Sequence, residues 1–244
     1  MLNIIIPMAG RGSRFANVGY KMPKPLIDVH GKTMIERVIE NLTPNCDHKF
    51  IFIVQEEHIK NYDIDKILLS TTHNCEILPI NKVTEGAACT VLLAKEFIDK
   101  NPLMIANSDQ WVNYDINKYI NYEASYDGMI MTMFANDPKW SFVRIENDDV
   151  TEVVEKKVIS NEATVGIYNF SRGTDFVYAA EEMIRKDLRV NGEFYVAPIY
   201  NEMIESGMKI GYQNIDTGDE QKMFGLGTPE DLNMFLSHKI SKNL

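Results

Sequence analysis

The sequence predicts an α/β fold: a mostly parallel sheet flanked by helices on both faces, with an antiparallel elaboration in its second half. Three observations carry this. Short apolar runs alternate with segments of helical period through the first half, their connections are short, and the second half reads as strands with no long helix between them.

Leu2 to Pro7 is apolar at nearly every position, the mark of a strand buried on both faces. Met34, Ile35, Val38, Ile39 and Leu42 then recur at helical spacing. Phe50 to Val54 is the next buried strand, Glu56 to Leu69 a weaker helix, and Cys75 to Ile80 a short strand. Ala87 to Ile98 has a broad apolar helical face, and Pro102 to Ala106 is a fourth strand. This βαβαβαβ order is Rossmann-like. Further on, Met129 to Phe134, Phe142 to Ile145, Val150 to Val154 and Thr164 to Phe170 are strands, with a hairpin turn at Asn147-Asp148-Asp149. Helices are expected at Thr174 to Lys186 and at Phe194 to Ile204. A last helix opens with Thr228 as N-cap and Pro229 at the first helical position. No repeat or linker interrupts the chain, so a single domain over residues 1–244 is expected.

Composition excludes several classes. With 45% apolar and 25% charged residues the chain matches an ordinary globular protein, not a disordered tail or a disulfide-dense mini-protein. A net charge of −10 speaks against non-specific nucleic-acid or anionic-membrane binding, which need a broad basic surface. Cys46, Cys75 and Cys89 form no CxxC pair, so neither a disulfide framework nor a zinc site is suggested. No basic segment precedes the short Ile4–Ile6 run and no apolar stretch reaches membrane-span length. A soluble, cytoplasmic protein is expected.

The strongest signal is PMAGRGSRF, Pro7 to Phe15, directly after the first strand. Ligands of open α/β sheets bind there, beyond the carboxyl ends of the strands. Gly10 and Gly12 let backbone N–H groups approach an anion, Ser13 adds a hydroxyl, and Arg11 and Arg14 add charge. Neither GxxxxGK[ST] nor GxGxxG fits this loop. Between Met8 and Ile35, Arg11, Arg14, Lys21, Lys24 and Lys32 face the single acid Asp28, a local excess of +4. That focus of positive charge suits a polyphosphate. In KMPKPLIDV, Pro23 and Pro25 restrict the backbone on both sides of Lys24 and hold its ammonium in a defined place.

These motifs resemble the nucleotidyltransferases that activate sugar 1-phosphates and related phosphorylated metabolites. The resemblance continues through TEGAACT (Thr84 to Thr90), ANSDQW (Ala106 to Trp111), EKKVIS (Glu155 to Ser160) leading into VGIYNF (Val165 to Phe170), and GTPEDL (Gly227 to Leu232). It implies a nucleotidyltransferase, GT-A-like fold, with residues 1–126 taking the nucleotide and 127–244 the acceptor. It further implies NMP transfer from a nucleoside triphosphate to a phosphorylated acceptor, with release of pyrophosphate. Arg14 and Lys24 would be catalytic, and Met8, Ala9, Gly10, Arg11, Gly12 and Ser13 would bind the nucleotide. Thr84, Glu85, Gly86 and Ala87 would read the base, Gly86 because its missing side chain lets the base lie on the backbone.

Asp109, just past a strand, would hold Mg²⁺, a hard cation that prefers oxygen ligands. The family's second metal carboxylate is absent, because its position is Gly225; Asp216 and Asp219 are candidate substitutes. Glu155, Lys156, Gly166, Asn191 and Glu193, with Tyr168 and Tyr195 nearby, would form the acceptor site.

The MAGRGSRF variant resembles members encoded with capsule or surface-polysaccharide genes. Some of these use CTP, among them phosphoglutamine and phosphocholine cytidylyltransferases, so CTP and a zwitterionic phosphate are the favoured pair. A sugar-1-phosphate enzyme using dTTP, UTP or GTP stays open. So do a GT-A glycosyltransferase, though the Asp-x-Asp such enzymes carry is missing at Asp109-Gln110-Trp111, and a nucleotide-sugar-binding protein. A homo-oligomer is compatible with all of these.

Overall fold

The computed structural model of the chain describes residues 1–121, 125–216 and 222–244. Strand β1 (Leu2–Pro7) lies inside the main sheet. Leu2, Ile4 and Ile6 enter one apolar layer and Ile5 the other, while the polar Asn3 donates its side-chain amide to the Phe97 carbonyl at 3.1 Å. After a single helical turn, α1 (Ser13–Ala16), the two-residue strands β2 (Asp28–Val29) and β3 (Lys32–Thr33) form a hairpin. Helix α2 (Met34–Leu42) starts at Thr33, whose side chain and that of Glu36 cap each other's backbone N–H groups. Its Ile35, Val38, Ile39 and Leu42 pack on the sheet as the spacing predicts.

Strand β4 (His48–Gln55) pairs in parallel with β1. The predicted helix from Glu56 is two: α3 (Glu56–Tyr62) and α4 (Ile64–Thr71), separated at Asp63 with φ 50°, a left-handed conformation that Asp tolerates. Strand β5 (Cys75–Ile80) completes this edge. Helix α5 (Ala87–Leu92) is shorter than predicted: the chain tightens to a 3₁₀ turn at Lys95–Phe97, where Asn3 takes the Phe97 carbonyl. Strand β6 (Leu103–Ala106) lies on the other side of β1, and is followed by β7 (Gln110–Val112) and α6 (Ile116–Ile120).

The second half adds β8 (Gly128–Phe134), β9 (Ser141–Glu146), β10 (Asp149–Glu155) and β11 (Glu162–Phe170). Asn147 and Asp148 have φ of 52° and 66°, which give the tight β9–β10 hairpin its twist. Helices α7 (Gly173–Arg185) and α8 (Ile199–Glu205) cover this part. The latter begins five residues later than predicted, because Phe194 is bound through its backbone elsewhere: its N–H donates to the Glu85 carbonyl at 2.8 Å and its carbonyl accepts from Ala88 at 3.0 Å. Strands β12 (Ile210–Asn214) and β13 (Met223–Gly225) precede the last helix, α9 (Pro229–Ser237), which starts at Thr228 with Pro229 first, as expected.

One nine-stranded sheet runs through both halves, in the order β10-β9-β11-β6-β1-β4-β5, with β8 paired to β11 and β12. Pairing is parallel from β6 to β5 and turns antiparallel at β6–β11. Helices cover both faces, in agreement with the predicted fold class. No helix among the described residues is long and apolar enough to cross a membrane. A third, smaller apolar cluster lies outside the sheet, where Phe15, Ile27, Trp111, Leu226 and Leu232 gather round Phe224 and Phe235. Ring centroids there are 5.5 Å apart for Trp111–Phe235 and 5.2 Å for Phe224–Phe235. Phe15→Ala, opening a cavity in this cluster, is expected to lower stability by about 3–5 kcal/mol in urea unfolding; a loss below about 1 kcal/mol would show that the cluster collapses around the gap.

Candidate active site

A cavity of about 530 Å³ opens beyond the carboxyl ends of β1 and β6. The loop leaving β1 lies over it. Met8 and Ala9 are buried beneath, and Gln55 donates its side-chain amide to the carbonyl of Ala9 at 2.8 Å and of Gly10 at 3.3 Å. The chain turns at Gly12, φ 60°, where a Cβ would stand 3.2 Å from that of Lys24. Gly10 and Arg14 reach the cavity. The exposed Arg11 and Ser13 do not line it.

Lys24 opens the 3₁₀ turn Lys24–Leu26, anchored by the buried Pro25 and Leu26. Its ammonium is 2.8 Å from Asp109 Oδ2, so the predicted catalytic lysine and metal carboxylate form an ion pair. Asp109 is held from below by Leu226, whose N–H donates to its carbonyl at 2.7 Å. A Cβ at Gly227 would lie 2.6 Å from Asp109 Oδ2, so a larger residue there would make this carboxylate move.

Gly225 pairs with Gln110 between β13 and β7, and a Cβ there would lie 3.7 Å from Asp231 Oδ2. Asp231, unremarked as a site residue in the sequence, thus brings a carboxylate into the cavity beside Gly225. Thr228 donates its hydroxyl to Asp231 at 2.9 Å, and Lys139 stands 3.6 Å away. The signal was there in GTPED, since an acid three residues after an N-cap folds back toward the helix start. Asp216 instead accepts from the Phe134 N–H at 2.9 Å and does not line the cavity. Asp219 lies outside the described residues.

The second predicted nucleotide loop is arranged differently from expectation. Of Thr84 to Ala87, only Ala87 lines the cavity. The Thr84 hydroxyl bonds within the loop, to the Gly86 carbonyl at 3.0 Å and to Thr90 at 2.6 Å. Glu85 turns outward to pair with Arg189. Gly86 has φ 132°, and a Cβ would come within 2.4 Å of the Phe194 carbonyl oxygen. The space its missing side chain provides is filled by the backbone of Phe194, not kept free for a base.

Glu155, at the end of β10, is 8% exposed and lines the cavity. Burial pushes its carboxyl above the usual range; a hydrogen bond from Ser141 and the charge of Lys156 oppose this, and Glu193 adds to it. Lys156 has φ 55°, and this turn sends its ammonium to the Tyr195 hydroxyl and 4.4 Å over the Tyr195 ring. Burial likewise raises the phenol of Tyr168, which bonds Thr164 at 3.0 Å. Gly166, φ 83°, is needed because a Cβ would meet Asn107 Nδ2 at 2.2 Å. Glu193 lines the same cavity from an exposed position. Asn191 does not line it: with φ 50° it forms the turn closed by the Val190–Glu193 bridge, a structural role in place of the expected contact. Lys139 and Trp140 also line the cavity, and nothing in their strand-to-strand loop marked them beforehand.

A Gly-rich loop, a lysine–aspartate pair, the buried Glu155 and the half-buried Lys156 surround one cavity beyond the carboxyl ends of a mostly parallel sheet, where open α/β proteins bind their ligands. The chain belongs to the nucleotidyl transferase family, whose model matches residues 3–217. It is 26% identical, over 99% of its length and 56% of the relative's, to the bifunctional protein GlmU of Methanococcus maripaludis. It is 23% identical to the UTP–glucose-1-phosphate uridylyltransferase AglF of Haloferax volcanii, covering 94% of this chain and 93% of that one. Among solved structures, a nucleoside-diphosphate-sugar pyrophosphorylase from Vibrio cholerae RC9 matches with TM-score 0.79 and 28% identity, over 96% of this chain and 100% of the other. The chain spans about half the length of the GlmU proteins it matches.

The raised carboxyl of Glu155 has a consequence for stability. Its folded pKa lies above its unfolded one, so its contribution is fully present below the unfolded pKa and is lost as pH rises through the folded one. Glu155→Gln keeps an acceptor for Ser141 and is expected to melt above wild type at pH about 7–8, the advantage vanishing below pH about 4. Melting curves across this range check it, and a pH-independent difference would contradict it.

Proposed function

We propose that this chain transfers a nucleoside monophosphate from a nucleoside triphosphate to the phosphate of a small-molecule acceptor. The observation that carries the proposal is one cavity holding both the Lys24–Asp109 pair and the Glu155–Lys156 pair. An acceptor phosphate oxygen attacks the α-phosphorus, the bond to the bridging oxygen breaks, and pyrophosphate leaves with the electron pair. Two anions must be aligned against their repulsion, and charge building up at phosphorus must be compensated. In this reading the Gly10 backbone and Arg14 hold the triphosphate, Lys24 meets the charge near the α-phosphate, and Lys156 takes the acceptor phosphate.

The donor set fits a hard cation: Asp109 and Asp231, both carboxylates, line the one cavity. These two residues would hold Mg²⁺, which would supply positive charge against the negative charge of the phosphates. Asp231 then stands in for the carboxylate missing at Gly225.

Glu155 and Glu193 facing one cavity favour an acceptor that carries an ammonium group, because a cation leaving water needs a charged partner. The loop resemblance favours CTP, and with it a precursor for capsule or surface polysaccharide. A sugar 1-phosphate is the second reading, supported by the exposure of Glu193 and by the names of the relatives.

Pyrophosphate release, measured with the four triphosphates against glucose 1-phosphate, phosphocholine and glutamine phosphate, tests both readings. A preference of about 100-fold for the hexose phosphate, about 2.7 kcal/mol, would reverse the order of the two. Lys24→Ala is expected to lower turnover about 10²- to 10³-fold with the fold intact. Near wild-type turnover in that variant would remove Lys24 from the mechanism.

A further inference from the structure

We infer that Lys24 and the divalent cation compete for the carboxylate of Asp109, so that an arriving triphosphate frees the metal site by drawing Lys24 away. This rests on the reading above for the identity of the two ligands. The Lys24 ammonium lies 2.8 Å from Asp109 Oδ2, and the two side chains are only 20% and 25% exposed. The ammonium occupies Oδ2, and its repulsion, poorly screened in a half-buried cleft, weakens the hold of a divalent cation at the neighbouring Oδ1.

Lys24 has little freedom to retreat. Pro23 has φ −54° and Pro25 is buried, which fixes the backbone on both sides. Across from it, Gly12 leaves just enough room for the Lys24 Cβ. The stem is fixed at its base while the ammonium stays free to turn, and Gly10 and Arg14 line the same cavity, where phosphate oxygens would offer it more negative charge than one carboxylate. The other cavity ammonium groups have their own partners: Lys139 lies near Asp231, and Lys156 bonds Tyr195. Lys24 is thus the cation on which the availability of Asp109 depends. Triphosphate and metal then raise each other's affinity by equal factors, beyond what the phosphate oxygens contribute as ligands.

The test uses nucleotide-free protein and Mn²⁺, with free Mn²⁺ followed by electron paramagnetic resonance. Lys24→Met, which keeps the apolar stem, is expected to bind Mn²⁺ at least about fivefold more tightly than wild type. Lys156→Met, a control for general charge, is expected to stay within about twofold. Adding Asp109→Asn to Lys24→Met should abolish the gain. The reciprocal arm measures inorganic tripolyphosphate in EDTA by calorimetry, where Asp109→Asn is expected to bind several-fold more tightly than wild type and Asp231→Asn less so.

Unchanged, weaker or undetectable Mn²⁺ binding by Lys24→Met would overturn the inference. So would an equal gain in Lys156→Met, or tripolyphosphate affinity unmoved in Asp109→Asn. Absent nucleotidyl transfer with these binding results intact would sink the transferase reading alone. Full transfer with Mn²⁺ affinity unmoved would sink only the competition.

Discussion

The cavity depends on a small apolar cluster that lies outside the main sheet. Phe15 follows Arg14, Ile27 ends the turn that starts at Lys24, and Trp111 is two residues beyond Asp109. Leu226 lies between Gly225 and Gly227, and Leu232 adjoins Asp231. Arg14, Lys24, Asp109 and Asp231, which meet at one end of the cavity, are thus each mounted within three residues of one packed cluster. Close packing transmits position: side chains in rotamer wells against one another hold their neighbours to fractions of an ångström. Long, mobile loops would otherwise scatter the charges, and the Lys24–Asp109 pair spans 85 residues of sequence.

Glycines complete this arrangement where a backbone crosses another backbone or a polar side chain. Gly227 yields to Asp109, Gly166 to Asn107 and Gly86 to Phe194. The last of these joins the loop after β5 to the segment before α8 through paired backbone hydrogen bonds. Parts expected to serve two different ligands therefore form one unit, and a shift in either carries over to the other. This junction also explains why helix α8 begins where it does, since a backbone already paired with Glu85 and Ala88 cannot supply helical hydrogen bonds.

The end of the cavity formed by Glu155 follows a different principle. Glu155 is buried at a cost that Ser141 and Lys156 only partly offset, and Tyr168 and Thr164 satisfy each other behind it. A carboxylate held so far from water gains most from a ligand that brings a donor or a cation to it. Glu193 approaches from the solvent side, so the cavity is graded from a buried acid to an exposed one.

What the sequence determined by itself were the features that local periodicity and local chemistry encode. Apolar runs marked β1, β4 and β6, helical spacing marked α2, and Thr228-Pro229 marked the start of α9. The basic segment from Arg11 to Lys32 pointed to the cavity only in part: Arg14 and Lys24 line it, while Arg11, Lys21 and Lys32 do not, and Lys32 pairs with Glu40. Only the tertiary structure decided which distant groups meet. The strands β7 and β13 are three residues each and have no periodicity to read, yet their pairing sets Gly225 against Gln110 and admits Asp231. Asn191 and Gly86 are expected from the sequence as ligand contacts; the structure shows what each also does for the backbone, a turn at Asn191 and a close crossing with Phe194 at Gly86. A residue type with one chemistry can serve a turn or a ligand, and the choice belongs to whatever the fold packs beside it.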